Sequence, residues 1–431
     1  MGDFETLEPH WLSYQEAVAA VLEVAAPAPT EERSPADALG RILAAGVRAR
    51  ATLPPHDNSA MDGFAVRSRE VRELGASPRL PVAGLSLPGS LPVPSVQPGA
   101  AVRIMTGGPI PTGFDTVIRV EHTDGEAGPG WVVLNTLEDL GKHIRPAGQD
   151  MQEGDEVLAP GTRLHAGAIA VAVAAGAERV RVHGRPRIGV LSSGDELVEA
   201  QEFHQVEAGT GVPDTNRQML IAAVAELGGI PVDLGIVKDD PQALRNVLEK
   251  LPPLDALVTT GGASMGEKDL LKRVLSSLSF ELVFWRAKVR PGSPVSLGQL
   301  AIDGIPVPVF GLPGNPASAF VTFQLFVAPF VRACAGSAET GPSVVRAKVT
   351  APLTSPPGLT HFYRVALHRS PSSDGNIGEI TASLCGHQGS GLVSSLSEAD
   401  GFAVVPEGIS HIEVGDSVEV HVLPGRWTAD R

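Results

Sequence analysis

The sequence predicts a multidomain fold in which a central doubly wound α/β domain is joined to two β-rich domains. Between residues 186 and 336, apolar runs typical of strands alternate with helical patterns, which predicts a parallel sheet covered by helices on both faces. Residues 46–141 are dense in Pro and Gly and contain short apolar runs, which indicates a β-rich insertion. From about residue 337 the helical patterns stop, and alternating runs separated by turns predict a C-terminal all-β domain.

The N-terminal region is predicted to be helical. Ser13 and Glu16 form a capping-box pair at the start of a helix over Tyr14–Val24, and a second helix is expected at Ser34–Ala44. The other predicted helices are Ala166–Ala175, Asn216–Leu227, Pro241–Leu251, Lys268–Leu278 and Pro316–Ala335. The predicted strands are Ala100–Met105, Thr116–Val120, Arg187–Leu191, Pro231–Val237, Asp255–Thr260, Val307–Gly311, Val344–Val349, Phe362–His368, Glu379–Leu384, Phe402–Val405 and Ser417–Val422.

The composition excludes several classes of function. The chain of 431 residues carries 34 Lys and Arg against 49 Asp and Glu, a net charge of −15, and only 4% of its residues are aromatic. Duplex DNA binding needs clustered cations and single-strand binding needs aromatic platforms, so no nucleic-acid partner is expected. The charge is uneven, because residues 195–250 hold 11 acidic and 4 basic residues, whereas residues 261–300 hold 3 and 6. Small anions respond to that local arrangement rather than to the total.

We expect a cytoplasmic protein with no membrane partner. The two cysteines, Cys334 and Cys385, cannot form a disulfide framework, which fits a reducing compartment. The N-terminus is acidic and lacks the pattern of a signal peptide. The longest apolar stretch, Ala317–Val331, is interrupted by polar residues and is short for a bilayer, so it is predicted to be a buried helix.

Polar and Gly-rich sequence follows four predicted strands of the α/β domain. In an open α/β sheet, ligands bind beyond the carboxyl ends of the strands. The loops that follow these strands are therefore expected to converge on one binding edge. They are Ser192–Glu196, Lys238–Asp240, Gly261–Asp269 and Gly311–Pro316.

The loop Gly261–Gly266 connects a predicted strand to a helix, where exposed backbone N–H groups suit phosphate or carboxylate binding. Its spacing matches neither the dinucleotide fingerprint nor the Walker A loop, and a tight structural turn is the alternative. The loop also matches G-x-S-x-G, which would make Ser264 a hydrolase nucleophile. A hydrolase needs a later His beside that loop, but the five later His residues fall in the predicted all-β domain. The hydrolase reading is therefore disfavoured.

Carboxylates crowd the same edge of the sheet. Without a cation these groups would repel one another, and carboxylates combined with substrate phosphates suit Mg²⁺. Helix capping is the alternative explanation, and it is the expected role of Asp240 before Pro241. The remaining carboxylates are Asp195, Glu196, Asp239 and Asp269.

Basic residues follow the carboxylates along the chain. Arg286, Lys288 and Arg290 share one face of an extended segment because of their period-2 spacing, and Lys268 and Lys272 share one helical face. These residues form either an anion site or a solvated charged face. The neighbouring Gly-rich loop favours the anion site.

Eight motifs occur in a fixed order, and on them the chain resembles the molybdopterin molybdenumtransferase family and is similar to the E domain of gephyrin. They are PPHDNSAMDGFAVR, RIMTGGPIPTGFDTVIRVE, RPAGQDMQEGD, SSGDEL, DTNRQML, TTGGASMGEKD, RPGSPV and GLPGNPAS. The resemblance implies an elongated homodimer of four-domain subunits. The implied domains are an extended domain from residues 1–45 and 142–185, a β-rich insertion domain at 46–141, an α/β domain at 186–336 resembling molybdopterin adenylyltransferase, and a C-terminal β-barrel at 337–431.

The resemblance also implies a reaction. Molybdenum from molybdate is inserted into adenylated molybdopterin in a dimer cleft, with Mg²⁺ as cofactor and release of AMP. The implied partners, besides a second subunit, are the adenylyltransferase and downstream cofactor-maturation or apo-molybdoenzyme proteins. The alternative from the same resemblance is a peptide-binding scaffold of the gephyrin type.

Site residues are carried over from the family by motif. The expected functional residues are Asp62, Thr106, Asp150, Glu196, Asp239 and Asp269, of which Glu196, Asp239 and Asp269 are the expected metal ligands. The expected substrate-binding residues are Gly261, Gly262, Ser264, Gly266, Lys272, Arg286, Lys288, Arg290, Pro313, Asn315 and Pro316.

Some roles follow from the residue types. The backbone amides of Gly261–Gly266 are expected to hold the terminal phosphate of the pterin, and Arg286 and Arg290 to attract molybdate. Two positions depart from the family pattern. Ser293 stands where Lys is frequent, so one anion contact is either weaker or supplied by Lys288. Leu270 replaces a frequent aromatic residue, which alters packing against the pterin.

Overall fold

A computed structural model describes residues 11–125, 130–261, 274–275, 277–302, 304–369 and 378–427 of the chain. The chain divides into two units. The larger unit comprises Met1–Glu31, Gly40–Ala44 and Arg181–Arg431, and the smaller unit comprises Glu32–Leu39 and Ala45–Val180. The boundaries of the four expected domains stay a prediction.

The larger unit contains a six-stranded sheet with the strand order Ile230–Val237, Arg187–Ser193, Ala256–Thr260, Ile305–Leu312, Ser296–Ile302 and Phe280–Phe284. The first four strands are parallel, as the alternation of strands and helices predicts. The last two pairings in this order are antiparallel, because Ser296–Ile302 runs opposite to both of its neighbours, and the sequence analysis did not anticipate this. The cause is local, because only two residues separate Ser296–Ile302 from Ile305–Leu312, and so short a connection can join only antiparallel neighbours.

Alternate residues of the central strands supply two separate cores, which is why helices cover both faces of this sheet. Val190, Val258 and Phe310 belong to one core, whereas their neighbours Leu191, Leu257 and Val309 belong to the other. Leu220 and Val224 of the helix Thr215–Glu226 pack in the first core, and Leu244 and Leu248 of Pro241–Leu248 pack in the second. The predicted doubly wound α/β domain is therefore confirmed.

The segment Pro316–Cys334 is a core helix in three parts: an α-helix at Pro316–Thr322, a π-helical turn at Phe323–Val327 and an α-helix at Ala328–Cys334. The π turn ends two residues before Pro329, which has no N–H to bond the carbonyl four residues earlier. The segment has the length and apolar composition of a membrane span, but 89% of its most apolar window is buried inside the protein.

The C-terminal region forms a closed β-barrel. Its strands run in the order Thr360–Arg369, Ile380–Leu384, Ser343–Val349, Ser417–Val422 and Gly401–Val405, and the last strand pairs with the first. The strand Val289–Arg290 adds to Thr360–Arg369, and Leu353–Thr354 pairs with His411–Ile412. Inward residues such as Val365, Ala403 and Val420 fill the barrel. The predicted C-terminal barrel is thus confirmed.

The smaller unit is β-rich, as its composition predicts. Its five-stranded sheet has the order Thr116–Arg119, Gly63–Val66, Ala101–Ile104, Arg79–Ser86 and Trp131–Val133. Phe64 and Ile118 face one core and Ala65 and Val117 face the other, so both sides of the sheet are covered. Its further elements are the strands Val47–Arg48, Asn58–Ser59, Ile144–Arg145 and Glu156–Leu158 and the helices Ser68–Glu73 and Ala166–Ala174.

The N-terminal predictions have mixed outcomes. The helix Tyr14–Glu23 has the predicted capping box, in which Ser13 and Glu16 each bond the backbone of the other. The second predicted helix, Ser34–Ala44, is wrong, because only a 3₁₀ turn forms at Ala36–Ala38. Gly40 then adopts a positive φ of 77°, which an α-helix cannot continue through. Most of the predicted helix Lys268–Leu278 lies outside the described residues.

Several short elements complete the described chain. They are the strands Thr30–Arg33, Val180–His183, Leu197–Val198 and Val212–Pro213, the helices His204–Glu207 and Ser394–Glu398, and the 3₁₀ turns Val120–His122 and Ala200–Glu202.

Candidate active site

A cavity of about 740 Å³ opens at the carboxyl ends of the parallel strands in the larger unit. The strands end in register there, since Ser192 pairs with Thr260 and Thr260 with Leu312. The loops after these strands therefore meet, as the sequence analysis predicts. The lining includes Ser192, Ser193, Gly194, Glu196, Asp214, Thr215, Asn216, Asp239, Thr260, Gly261, Pro294, Pro313, Gly314, Asn315, Pro316, Gly391 and Val393.

Glu196 and Asp239, two of the predicted metal ligands, line this cavity together. They come from neighbouring parallel strands, which is why residues 43 positions apart share one edge. The Ser193 hydroxyl donates a hydrogen bond of 2.9 Å to Asp239 Oδ1, and the Asp239 N–H donates one of 3.1 Å to Asp195 Oδ1. The carboxylate of Glu196 lies against Gly194, where an added Cβ would be 2.8 Å from Oε2.

A buried ion network supports the cavity from below. Asp214 caps the helix Thr215–Glu226 by accepting from the Arg217 N–H at 3.2 Å, and it also accepts from Ser192 Oγ at 2.9 Å. The guanidinium of Arg217 is 3% exposed and bonds Asp214, Asp233 and Glu199. Burial opposes its charge, but the bonds to these carboxylates outweigh burial and raise the pKa of Arg217. The charge of Arg217 is therefore already paired with carboxylates of the protein.

Two glycine-containing loops meet at the cavity floor. Gly261 has a φ of 89°, and an added Cβ would lie 2.1 Å from the Ser193 carbonyl oxygen, so only glycine fits there. A Cβ on Gly314 would lie 3.7 Å from Gly261 Cα. Asn315 Nδ2 donates a hydrogen bond of 3.1 Å to Ser390 Oγ of the C-terminal region, which brings Gly391 into the wall. Of the predicted substrate-binding residues, Gly261, Pro313, Asn315 and Pro316 line this cavity.

The three predicted cations of the 286–290 segment do not line the cavity. The predicted alternation of side chains along this segment is confirmed, because Ala287 and Val289, which lie between the three cations, are buried. Arg286 lies 5.1 Å from the ring centre of Trp11. Lys288 Nζ bonds Glu407 at 2.9 Å, and this hydrogen bond raises the pKa of Lys288. Lys288 is thus already paired with Glu407. This pairing weighs against the expectation that Lys288 supplies the anion contact that a Lys would make at position 293.

Several predicted site residues lie outside the described part of the chain. They are Gly262, Ser264, Gly266, Asp269 and Lys272, together with Leu270.

The smaller unit brings together the three motif segments that contain Asp62, Thr106 and Asp150. Asp62 Oδ1 accepts hydrogen bonds from the Thr106 backbone N–H at 2.6 Å and from the Thr106 hydroxyl at 2.7 Å. The backbone bond and then the hydroxyl bond lower the pKa of Asp62. Asp150 joins the same region through its N–H, which donates to the Leu53 carbonyl at 3.1 Å.

Three protein-family models match consecutive parts of this chain. The MoeA N-terminal region (domain I and II) matches residues 12–176, a probable molybdopterin binding domain matches 189–333, and the MoeA C-terminal region (domain IV) matches 346–423. The chain belongs to the molybdopterin molybdenumtransferase (MoeA) family.

Individual relatives agree with this assignment. The chain is 34% identical over 410 residues to molybdopterin molybdenumtransferase 1 of Mycobacterium tuberculosis, covering 90% of this chain and 93% of the relative. It is 31% identical over 392 residues to the molybdopterin molybdenumtransferase of Bacillus subtilis, covering 90% and 88%. The crystal structure of the molybdopterin biosynthesis MoeA protein from Pyrococcus horikoshii superposes with a TM-score of 0.78 at 25% identity, covering 96% of this chain and all of that one.

The site prediction for this MoeA-family chain missed several residues of the cavity lining, among them Ser193, Asp214 and Asn216, and also Arg217, which bonds Asp214. A signal for them was present, since Asp214 directly precedes a predicted helix within the DTNRQML motif and is a good N-cap candidate. The partners Asp233 and Glu199 are 16 and 18 residues from Arg217, and sequence spacing alone does not reveal such pairs.

Proposed function

We propose that this chain is a molybdenum-inserting transferase. Water cleaves the phosphoanhydride of adenylated molybdopterin, so that AMP leaves and the terminal phosphate stays on the pterin, and the dithiolene sulfurs bind molybdenum in place of molybdate oxygen, which leaves as water. The observation that carries this proposal is a family match along most of the chain combined with a cavity in which Glu196 and Asp239 face a shared space. Phosphoryl chemistry of this kind depends on positioning and charge neutralisation more than on a strong nucleophile.

The cavity suits a divalent cation such as Mg²⁺. The described lining contains the carboxylates of Glu196 and Asp239 and no Lys or Arg, the nearby Lys238 bonds the Asp195 carbonyl at 2.9 Å, and the phosphates of the substrate are also anionic. Hard oxygen donors of this kind fit Mg²⁺, which is usually held by one or two carboxylates plus substrate phosphates and water. No group of three His, Cys, Asp or Glu side chains assembles as a metal site among the residues whose placement is described. Glu196 and Asp239 would hold the ion with Asp269, and the ion would neutralise charge on the anhydride.

The remaining roles follow from the cavity walls and from the resemblance. The backbone of the Gly261 turn would hold the terminal phosphate of the pterin, and Pro313, Asn315 and Pro316 line the same cavity. Molybdate, a dianion, is attracted by Arg286 and by the exposed Arg290. Lys288 contributes less because Glu407 neutralises it.

We further propose a cytoplasmic homodimer in which Asp62, supported by Thr106 and Asp150, serves the cavity of a partner subunit. The support is the family resemblance together with the Asp62 carboxylate, which two hydrogen bonds from Thr106 hold in place. Mixing Asp62→Ala with Glu196→Ala subunits tests this arrangement. Each variant alone is expected to be folded and inactive, and mixed dimers regain activity. No recovery in dimers shown to be mixed would contradict the cross-subunit role.

The decisive assay supplies adenylated molybdopterin, molybdate and Mg²⁺, and measures AMP together with metal-loaded pterin. We expect AMP release that requires molybdate and falls when Mg²⁺ is chelated. Glu196→Gln and Asp239→Asn are expected to lower the rate by about two orders of magnitude. Failure of the wild-type chain to release AMP in the presence of molybdate would sink the proposed function.

A further inference from the structure

The side-chain amide of Asn216 is held in one orientation by the cavity floor. Its Nδ2 donates to the Gly314 carbonyl at 2.7 Å and to Thr260 Oγ1 at 2.8 Å. A backbone carbonyl can only accept, so the atom facing Gly314 must be the nitrogen. The Thr260 hydroxyl donates to the Pro313 carbonyl at 3.2 Å, so its oxygen is free to accept from Asn216. Both protons of Nδ2 are therefore used, and the amide cannot be flipped.

The fixed orientation leaves Asn216 Oδ1 without a hydrogen bond to any residue that the structure describes. The side chain lies in the lining of the cavity, yet the residue is only 8% exposed. Buried acceptors are nearly always satisfied, because an unpaired one loses its bonds to water and gains nothing in return. A hydrogen-bond donor on a molecule bound in the cavity would supply the partner that Oδ1 lacks.

The surrounding chemistry restricts what that donor is. The charged side chains of the described lining are all acceptors, namely Glu196, Asp239 and the Arg217-paired Asp214. A phosphate oxygen or molybdate would meet the Oδ1 lone pairs with another acceptor and be repelled. On its rings the proposed substrate offers the amino group of the pterin, the amino group of adenine and the ring N–H groups of the pterin, and we take the exocyclic amino groups as the donors to test.

We propose that Asn216 Oδ1 accepts a hydrogen bond from the exocyclic amino group of a bound heterocycle, which makes Asn216 a specificity-determining residue. The inference rests on the proposed function for the identity of the ligand. Because Oδ1 is shielded from solvent, this contact requires the adjoining cavity wall to open when the ligand binds. Nδ2 stays on Gly314 and keeps the oxygen aimed at the ligand.

The test compares pairs of ligands in which an oxo group replaces the amino group and the neighbouring ring nitrogen gains a proton. Equilibrium binding to the full chain is measured for pterin against lumazine, in which an oxo group replaces the 2-amino group, and for AMP against inosine monophosphate. Wild-type protein is expected to prefer the amino ligand of one pair by about tenfold, because an oxo group faces Oδ1 with a second acceptor. The pair that shows the preference identifies the ring that binds there.

Variants distinguish recognition of the ligand by Asn216 Oδ1 from the structural role of its Nδ2 in the cavity floor. Asn216→Ala is expected to remove the preference, and Asn216→Ser serves the same purpose if the alanine variant does not fold. Thr260→Val is the matched control, because it loosens the Nδ2 side of the amide but leaves Oδ1 in place, so the preference survives. Equal preference in wild type and Asn216→Ala, or no preference for either pair in wild type, would overturn the inference.

The outcomes for binding and for turnover are separable. If AMP is released with molybdate but Asn216→Ala keeps the amino preference, the proposed function stands and the role of Asn216 is wrong. If Asn216 controls the amino preference but no AMP is released, the binding role stands and the proposed reaction is wrong.

Discussion

The hydroxyl of Ser193 donates a 2.9 Å hydrogen bond to Oδ1 of Asp239 and so holds one of the two cavity carboxylates in place. Ser193 ends one strand, and Asp239 follows the neighbouring parallel strand. The hydroxyl therefore positions a carboxylate without itself being a metal ligand. Partners of this kind typically change metal affinity by 10–100-fold when they are removed.

Ser193→Ala is expected to weaken Mg²⁺ binding by about tenfold, because the Asp239 carboxylate loses the donor that orders it. Calorimetric titration with Mg²⁺ and the Mg²⁺ dependence of AMP release both measure this. Ser192→Ala is the matched control, since Ser192 donates to Asp214, which keeps its bonds to Arg217. If both serine variants bind Mg²⁺ like wild type, the positioning role of Ser193 is wrong.

Asp239 and Asp240 are adjacent, but they are expected to behave in opposite ways. Asp240 caps the helix Pro241–Leu248 by accepting from the Ala243 N–H at 2.7 Å. Asp240→Ala is expected to cost about 1 kcal/mol of unfolding free energy and leave AMP release unchanged. Asp239→Asn is expected to abolish most AMP release with little loss of stability, because the side chain is exposed. Urea unfolding and the AMP assay on both variants check the contrast, and loss of activity in Asp240→Ala would contradict it.

Thr106→Val is expected to raise the pKa of Asp62 toward its ordinary value. The hydroxyl bond of 2.7 Å is lost, whereas the backbone bond of 2.6 Å can remain. Because the folded pKa is lowered, the bonds favour the fold above the ordinary carboxyl range, and this contribution is lost as pH falls through the lowered pKa. Carbon NMR titration of Asp62 measures the shift. Thr106→Ser keeps the hydroxyl and should titrate like wild type, so equal titration in all three proteins would disprove the role of the hydroxyl.

The sequence was sufficient where local pattern and a general topological rule combine. Alternating strands and helices predicted the parallel sheet, and the rule that ligands bind at carboxyl strand ends predicted that the loops of Glu196, Asp239 and Gly261 would meet. The capping roles of Ser13 and Asp240 were also predictable, because each depends on residues three or fewer positions away. The roles of these cavity residues in catalysis stay predictions.

The features that escaped prediction depend on partners distant in sequence. Lys288 is neutralised by Glu407, which lies 119 residues further along the chain, so its spacing with Arg290 overstated its availability. Asn216 bonds Gly314, which lies 98 residues further along the chain, only because folding of the sheet brings these two segments together. The failed helix at Ser34–Ala44 shows the converse, because a local capping signal is overruled when Gly40 takes a left-handed conformation.

Asp139 is the charged centre of the smaller unit and is 1% exposed. It accepts from Arg119 Nε at 3.1 Å and contacts His122 Nδ1 at 2.9 Å and His143 Nε2 at 3.1 Å. Asp139→Asn is expected to destabilise this unit by about 2–4 kcal/mol, because three partly buried partners lose the one buried anion that they share. Trp131 is the tryptophan of this unit, so its fluorescence during urea unfolding, in a variant lacking the other three tryptophans, reports the change.

Glu138→Gln is the matched control for Asp139→Asn, since it removes the same charge one residue earlier at an exposed site and should change stability by less than about 0.5 kcal/mol. The pH dependence supplies a second criterion. Burial opposes ionisation of Asp139, but the bonds from Arg119 and His143 outweigh it and hold the pKa of Asp139 well below its usual range. The stabilisation is therefore complete above the ordinary carboxyl range and is lost only as pH falls toward the lowered pKa. A difference between wild type and Asp139→Asn that disappears already at pH values above that range would contradict this account.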